Sequence, residues 1–278
     1  MPITICTVAV IYKALDRYYV FGVRYNPSPI TPPLSLYINY EIDSLLNKAR
    51  VILFEKKTSR LAEVDLFIPH SEIAKLEHHM PQSGFDYVKG RMIIDKKLIK
   101  AKIKYRGDFL YHWAWNKKSI RVKLSKKRLY KGLRKFNLQA PKRPEQLNNY
   151  LGLRLAKLLG LTAPQTQLVH LNINNNSQGI HVLIEQLEEA TLRHNRLMPG
   201  DIYRGEIVGK DAFVDSGVRT LFDSASVWDK MAINNHYADD SIEPLIKLIS
   251  LIQNKDEVDS QKQLSELLDM QAWAKFSL

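Results

Sequence analysis

Apolar and basic residues alternate in two segments of the chain, residues 98–106 and 119–124. A period of two places the apolar side chains on one face of a strand and the basic ones on the other. The sequence therefore predicts two strands with one buried and one cationic face. The cationic faces carry Lys100, Lys102, Lys104, Arg106, Arg121 and Lys123.

Other elements follow from apolar spacing and from residues that start or stop helices and turns. Short β-rich runs at 50–54 and 61–68 predict strands, and residues 166–173 and 180–186, joined by an Asn- and Gly-rich turn, predict a hairpin. The other predicted elements are helices, at 71–81, 144–160, 187–195, 224–235, 242–253 and 260–277.

The N-terminal segment is apolar over residues 3–12, and charged residues follow at once. A bilayer needs about 20 apolar residues, so we expect a buried strand or a disordered lead, with a degraded membrane anchor as the alternative. No basic region precedes the run, so no signal peptide is predicted and a cytoplasmic protein is expected. Four prolines within residues 26–33 indicate a linker. We predict an N-terminal lead at 1–45, a β-rich lobe at 46–186 and a partial helical lobe at 187–278.

Composition and charge narrow the functional classes. The 278 residues are 45% hydrophobic and 25% charged, which is typical of a folded protein. The formal net charge is +12, and residues 91–135 alone carry +15, so the rest of the chain sums to −3. Such local charge favours a phosphate-bearing partner: a nucleotide, a nucleic acid or an anionic membrane. The alternative is a solvated sheet face.

Two further positions are candidates for binding chemistry. A glycine at 107, after the basic strand, lets backbone N–H groups approach a phosphate closely, although glycine is also common in simple turns. Glu185 and Gln186 end an apolar strand, as at a hinge or an ordinary strand end. The histidines lack the spacing of metal ligands, so no metal site is predicted.

The order of several motifs resembles that of CotH-type (spore coat protein H) kinases. Residues 104–108 and 117–124 are similar to the family pattern "RGN…KKSYKIKL". The later matches are residues 136–138 to "LNL", 155–164 to "LGxxAP", 172–186 to "vNGxxxGvYllvEQ" and 201–203 to "nlYk". The match is good over about 100 residues, and fainter over 46–97 and 207–278.

This resemblance implies an α+β, atypical protein-kinase-like fold, with a β-rich small lobe and an incomplete helical large lobe. It also implies ATP with Mg²⁺ or Mn²⁺ as cofactors and a protein substrate phosphorylated on Ser or Thr. The resemblance also implies roles for individual residues. Lys123 or Arg121 holds the phosphates, and Glu145 pairs with that lysine. Glu185 and Gln186 lie beside adenine, and Arg106 and Gly107 cover the phosphates.

The resemblance also predicts what is missing. In the family, the catalytic Asp and the metal-binding Asn and Asp follow a helix that resembles residues 260–277, so we expect a truncated chain with no identified catalytic residue. Asp108 stands where the family often has Asn. The apolar stripe of that last helix predicts self-association.

Two alternatives remain open. One is a basic binding module for nucleic acid or an anionic surface, with aromatic residues that stack on bases. Those aromatic residues would be Tyr105, Phe109, Tyr111, Trp113 and Trp115. The other is an inert partner of a related kinase.

Overall fold

The structure is a computed structural model of the chain. It describes residues 2–24, 33–53, 60–78, 80, 86–107, 115–125, 127–141, 147–205, 220–232, 242–254 and 258–277. The predicted Pro-rich linker lies almost wholly outside these ranges.

Seven strands form a closed barrel in the order β1-β2-β3-β4-β5-β7-β6. Their bounds are Ala62–Phe67, Val88–Ile94, Lys97–Tyr105, Ile120–Leu124, Lys135–Gln139, Thr166–Ile173 and Asn176–Glu185 for β1 to β7. Neighbouring strands are antiparallel except for the parallel pair β1 and β6, which closes the barrel. The α+β class is confirmed, but the sequence pattern did not predict the closure.

The barrel interior is filled by the apolar halves of the alternating strands. Ile103, Val122, Phe136 and Leu138 are fully buried there. The basic residues of β3 and β4 consequently point outward, as the period of two predicted. Both strands are confirmed, as are β1 and the hairpin of β6 and β7, which turns tightly at Asn174 and Asn175 with positive φ at both.

The N-terminal segment is helical. Helix α1 (Pro2–Arg17) continues into a π-helical segment (Tyr18–Arg24), and α2 (Leu34–Leu53) runs antiparallel to it. The expectation of a strand or disordered lead at residues 3–12 is therefore wrong. The expectation of a strand at 50–53 is also wrong, because these residues form the end of α2. Along α1 and α2, apolar residues recur every three to four positions, and this helical period outweighs the preference of the individual residues for β-strands. The boundary predicted at residue 45 falls inside α2.

The helical pair is joined to the barrel through the segment before β4. Trp115 is buried against Tyr37 and Tyr40, with ring centroids 5.3 and 4.2 Å apart. Arg17 contacts Glu41 at 2.9 Å and donates to the side-chain oxygen of Asn116 at 3.0 Å. Among the described residues, no helix is both long and apolar enough to cross a membrane.

The remaining helices and strands lie between the barrel strands or after them in sequence. They are α3 (His70–His78), α4 (Asn148–Leu158), α5 (Glu189–His194), β8 (Ile202–Gly205), β9 (Trp228–Ala232), α6 (Glu243–Gln253), α7 (Val258–Leu267) and α8 (Met270–Phe276). The helix predicted at 224–235 is wrong: residues 225–227 form a 3-10 turn and β9 pairs with β8. That pairing joins segments far apart in sequence, which local periodicity does not register.

The helix predicted at 260–277 is interrupted. Asp269 has extended backbone angles and accepts a hydrogen bond from the N–H of Ala272 at 2.9 Å, so it caps α8 and ends the continuity with α7. The apolar stripe is only partly covered: Trp273 packs near Phe222, whereas Phe276 is 76% exposed.

We expect this exposed stripe to cause self-association. Replacing Leu267 and Phe276 by Ser should lower the apparent mass of the full chain in static light scattering at high protein concentration, because contiguous exposed apolar surface drives association. Leu151→Ser with Leu158→Ser, two exposed leucines of α4, is the matched control. An equal reduction by the control pair would contradict an interface at α7 and α8.

Candidate functional site

The outward side chains of β2 to β5 form a regular array of cations. Strand pairing aligns Lys89, Lys102, Lys123 and Lys135 in one row across the four strands. On either side, Lys104 is opposite Arg121, and Arg91 is opposite Lys100. We call these eight residues the basic face. Like charges directly opposite each other destabilise a sheet, so an anionic partner would stabilise this one.

A hydrogen-bonded relay crosses one edge of the basic face. Arg121 donates from Nε to Oδ1 of Asn137 at 2.9 Å, and Asn137 donates from Nδ2 to Oε1 of Gln186 at 3.1 Å. Asn137 is buried, so its amide is fixed between the two partners. The relay connects a predicted phosphate ligand on β4 with a predicted hinge residue after β7.

Lys123 lies at the centre of the cation row. Partial desolvation and the neighbouring Lys135, Arg134 and Lys102 lower the pKa of its ammonium group. The same group lies 6.0 Å from the ring centroid of Tyr87, and Lys104 lies 5.0 Å from that centroid. Tyr87 therefore supplies a π-face beneath two cations whose positive charges repel each other.

Lys135 of the basic face forms an ion pair. Lys135 contacts Glu188 at 2.6 Å, at the point where the chain leaves the barrel. The family resemblance implies instead an ion pair between Lys123 and Glu145. Glu145 lies outside the described residues, so that pair stays a prediction.

Arg106 and Gly107 continue β3 beyond the array. The backbone N–H of Arg106 donates to the carbonyl of Ser119 at 2.9 Å, which extends the pairing with β4. Gly107 has a φ of 105°, a backbone conformation that a side chain would strain. The strand is therefore followed by a position that favours glycine, and Asp108 lies outside the described residues.

Glu185 and Gln186 point to opposite sides of the barrel wall. Gln186 is on the side of the basic face, whereas Glu185 is opposite the inward-facing Phe136 and its carboxylate is buried. That carboxylate accepts hydrogen bonds from Gln165 N at 2.9 Å and Thr191 Oγ1 at 3.2 Å, and lies 2.8 Å from Nδ1 of His194. The structure therefore brings Gln186, and not Glu185, together with Arg121 and Lys123.

Sequence reasoning missed Asn137, Lys135 and Tyr87 as parts of this array. Asn137 was detectable, since it is the polar residue between Phe136 and Leu138 in a matched motif. Of the aromatic residues considered for base stacking, Tyr105 and Trp115 are buried and the other three lie outside the described residues. Within the part of the chain that the structure describes, no group of three or more side chains could hold a metal ion.

Comparison with known proteins agrees with the motif order. The sequence pattern of the CotH kinase protein family matches residues 103–277. The chain is also similar to the inner spore coat protein H of Bacillus subtilis (strain 168), with 25% identity over 149 residues. This alignment covers 53% of the chain and 40% of that protein, so the chain matches well under two thirds of its relative's length. The family match extends over more than half of the chain, from β3 to α8, and it includes Arg121, Lys123, Asn137 and Gln186: this protein belongs to the CotH family.

Proposed function

We propose that this chain binds ATP at the end of the basic face that carries Arg121, as the nucleotide-binding part of a kinase-like domain that phosphorylates proteins on Ser or Thr. The observation that carries the proposal is the relay from Arg121 through Asn137 to Gln186. It fixes a cation and a neutral amide on one surface, as a ligand with a charged phosphate end and a polar base requires.

The chemistry of the donors fits the phosphates of a nucleotide. A guanidinium donates in a planar fork, and an ammonium group acts as a compact charge, so Arg121 and Lys123 complement each other as phosphate ligands. The relay holds Nε of Arg121 and leaves its terminal NH₂ groups for a phosphate. Lys104, which is opposite Arg121 on β3, adds a third cation to this pair.

Phosphoryl transfer depends mainly on positioning and on stabilising the charge of the transferred group. In this proposal Arg121 and Lys123 orient the phosphates, and Gln186 supplies an amide next to the base. Arg106 and Gly107 form the turn at the end of β3. Mg²⁺ or Mn²⁺, when bound, neutralises charge on the phosphates. Its ligands and the catalytic base are not among the residues assigned here.

Glu185 has a supporting role in this proposal. Its buried carboxylate ties β7 to the segment before β6 and to α5, so it fixes the direction in which the chain leaves the barrel. This sets the position of Gln186, the next residue. Glu188 contributes in the same way through Lys135.

We expect Arg121→Ala to weaken ATP binding by about 10- to 100-fold, because one charge-assisted hydrogen-bond donor contributes roughly 1.5–3 kcal/mol. Isothermal titration with Mg²⁺–ATP measures the effect, and transfer of labelled γ-phosphate to a Ser/Thr-rich protein measures the activity. Arg128→Ala, which removes an exposed cation outside the basic face, is the control. Equal affinities of the wild type and Arg121→Ala would contradict the site. If duplex DNA bound more tightly than ATP at a salt concentration of about 0.2 M, this result would favour the nucleic-acid alternative.

A further inference from the structure

A large cavity opens over part of the basic face, and it extends from the cation row away from the relay. Its volume is about 1120 Å³. Residues 67–70, which lead from β1 into α3, and the turn at Asn174 and Asn175 form one wall. The other wall comes from β2, β3 and β4 and the residue before β5. The lining includes six lysines and arginines, Lys89, Arg91, Lys100, Lys102, Lys123 and Arg134.

The positive charge of this cavity is only partly balanced by the protein: Glu72 lies near Lys89, and Glu188 lies near Lys123. No Asp or Glu is among the lining residues. Within the described part of the chain, none of the six cations forms a salt bridge, whereas Lys135 one strand away does. Nε of Arg134 is buried and has no hydrogen-bond partner among the described residues.

Helix α3 adds to the positive potential. Its first residue, His70, lines the cavity, and Pro69 before it accepts hydrogen bonds from the N–H groups of Glu72 and Ile73. The helix N-terminus therefore lies at the cavity wall, where the helix dipole favours an anion. The dipole and the six side chains act on the same volume.

The cavity is displaced from the relay, but it shares Lys123 with the proposed nucleotide position. Arg121 and Asn137 do not line it, and Lys100 lies two rows along β3 from the residue opposite Arg121. Rows on one face of a strand are about 6.6 Å apart, so two rows place Lys100 roughly 13 Å from the relay. Lys102 and Lys123 lie in the row between the two positions.

We propose that this cavity binds a second polyanion, a ligand that carries two or more neighbouring phosphate groups, beside the nucleotide on the relay, with Lys123 between the two ligands. Six cations around one volume exceed what a single phosphate can neutralise, which favours several linked phosphates. Two sources share this chemistry, a free oligophosphate and a protein segment with adjacent phosphoserines. The cavity itself recognises the phosphates, and the Asn174–Asn175 turn supplies neutral polar groups at its rim.

The experiment compares two double variants of the full chain with equal net charge. Lys89→Gln with Lys100→Gln removes two cations of the cavity and leaves Arg121, Lys123 and Asn137 intact. Lys97→Gln with Lys157→Gln removes two exposed lysines elsewhere. Isothermal titration uses inorganic tripolyphosphate, a peptide with two adjacent phosphoserines, and ATP. Thermal unfolding confirms that both variants are folded.

We expect the cavity variant to bind tripolyphosphate or the phosphopeptide at least about tenfold more weakly and to retain its ATP affinity. Its affinity for these two probes should also fall less steeply with salt concentration than that of the wild type. The control variant should change by less than about twofold. Preference for tripolyphosphate would identify a free oligophosphate as the source, and preference for the peptide a protein segment. Failure of both probes to bind would overturn the proposal. The proposal would also be overturned if ATP displaced either probe and Arg121→Gln weakened the binding of all three ligands equally. The cavity would then hold the phosphates of the nucleotide itself.

Discussion

We expect Glu185→Ala to lower the free energy of unfolding by about 3–5 kcal/mol. The carboxylate is buried and accepts hydrogen bonds from Gln165 N and Thr191 Oγ1, with Nδ1 of His194 2.8 Å away. Truncation leaves Gln165 N and Thr191 Oγ1 without this acceptor, and each unsatisfied buried group costs about 1–3 kcal/mol, whereas the exposed His194 can bond to water. Urea unfolding followed by circular dichroism measures the loss.

Two variants test the physical reason for this loss. Glu185→Gln retains one acceptor oxygen of similar shape, so it should cost less than Glu185→Ala. Glu189→Ala removes a carboxylate that pairs with the exposed Arg193 at 2.7 Å, and exposed pairs contribute at most about 1 kcal/mol. A loss below about 1 kcal/mol for Glu185→Ala would show that the carboxylate does not support the end of β7.

The sequence predicted those parts of the fold that depend on local periodicity. β3 and β4 alternate strictly because one face of each strand packs into the barrel interior. The hairpin of β6 and β7 was indicated instead by its Asn- and Gly-rich turn, since three successive residues of β7, His181 to Leu183, are all buried. The barrel closure depends instead on the parallel pairing of β1 with β6, about a hundred residues later. Neither strand contains a local pattern that specifies its partner, so this feature could not be predicted.

The candidate site was predicted to a similar extent. Arg121 and Lys123 could be assigned to one surface because strand alternation fixes which side chains share a face. The same alternation separates Glu185 from Gln186, so treating them as a pair at the strand end overlooked their opposite directions. The cavity combines segments from β1, α3 and the β6–β7 turn with the basic strands, and it exists only once the barrel has closed.

Lys117 provides the second large prediction, a rise in stability with pH that depends on this one side chain. Burial lowers the pKa of its ammonium group from 10.5 to about 8, although Nζ donates to the carbonyl of Pro141 at 3.0 Å. Between these two pKa values the unfolded chain holds a proton that the folded chain has released. Stability therefore increases with pH across this window, and below about pH 8 the folded state carries the full cost of the buried charge.

The expected size of the effect is about 3 kcal/mol, since a pKa difference of one corresponds to about 1.4 kcal/mol. Urea unfolding at pH 7.5 and at pH 10 should show the wild type gaining stability relative to Lys117→Met, which lacks the ionisable group. Burial also lowers the pKa of Lys118 and raises that of Tyr105, but both residues are present in the two proteins, so their contributions cancel in the difference. Lys97→Met, at an exposed position, controls for the loss of a charge. A difference between wild type and Lys117→Met that stays constant from pH 7.5 to 10 would show that the Lys117 ammonium is solvated in the folded protein.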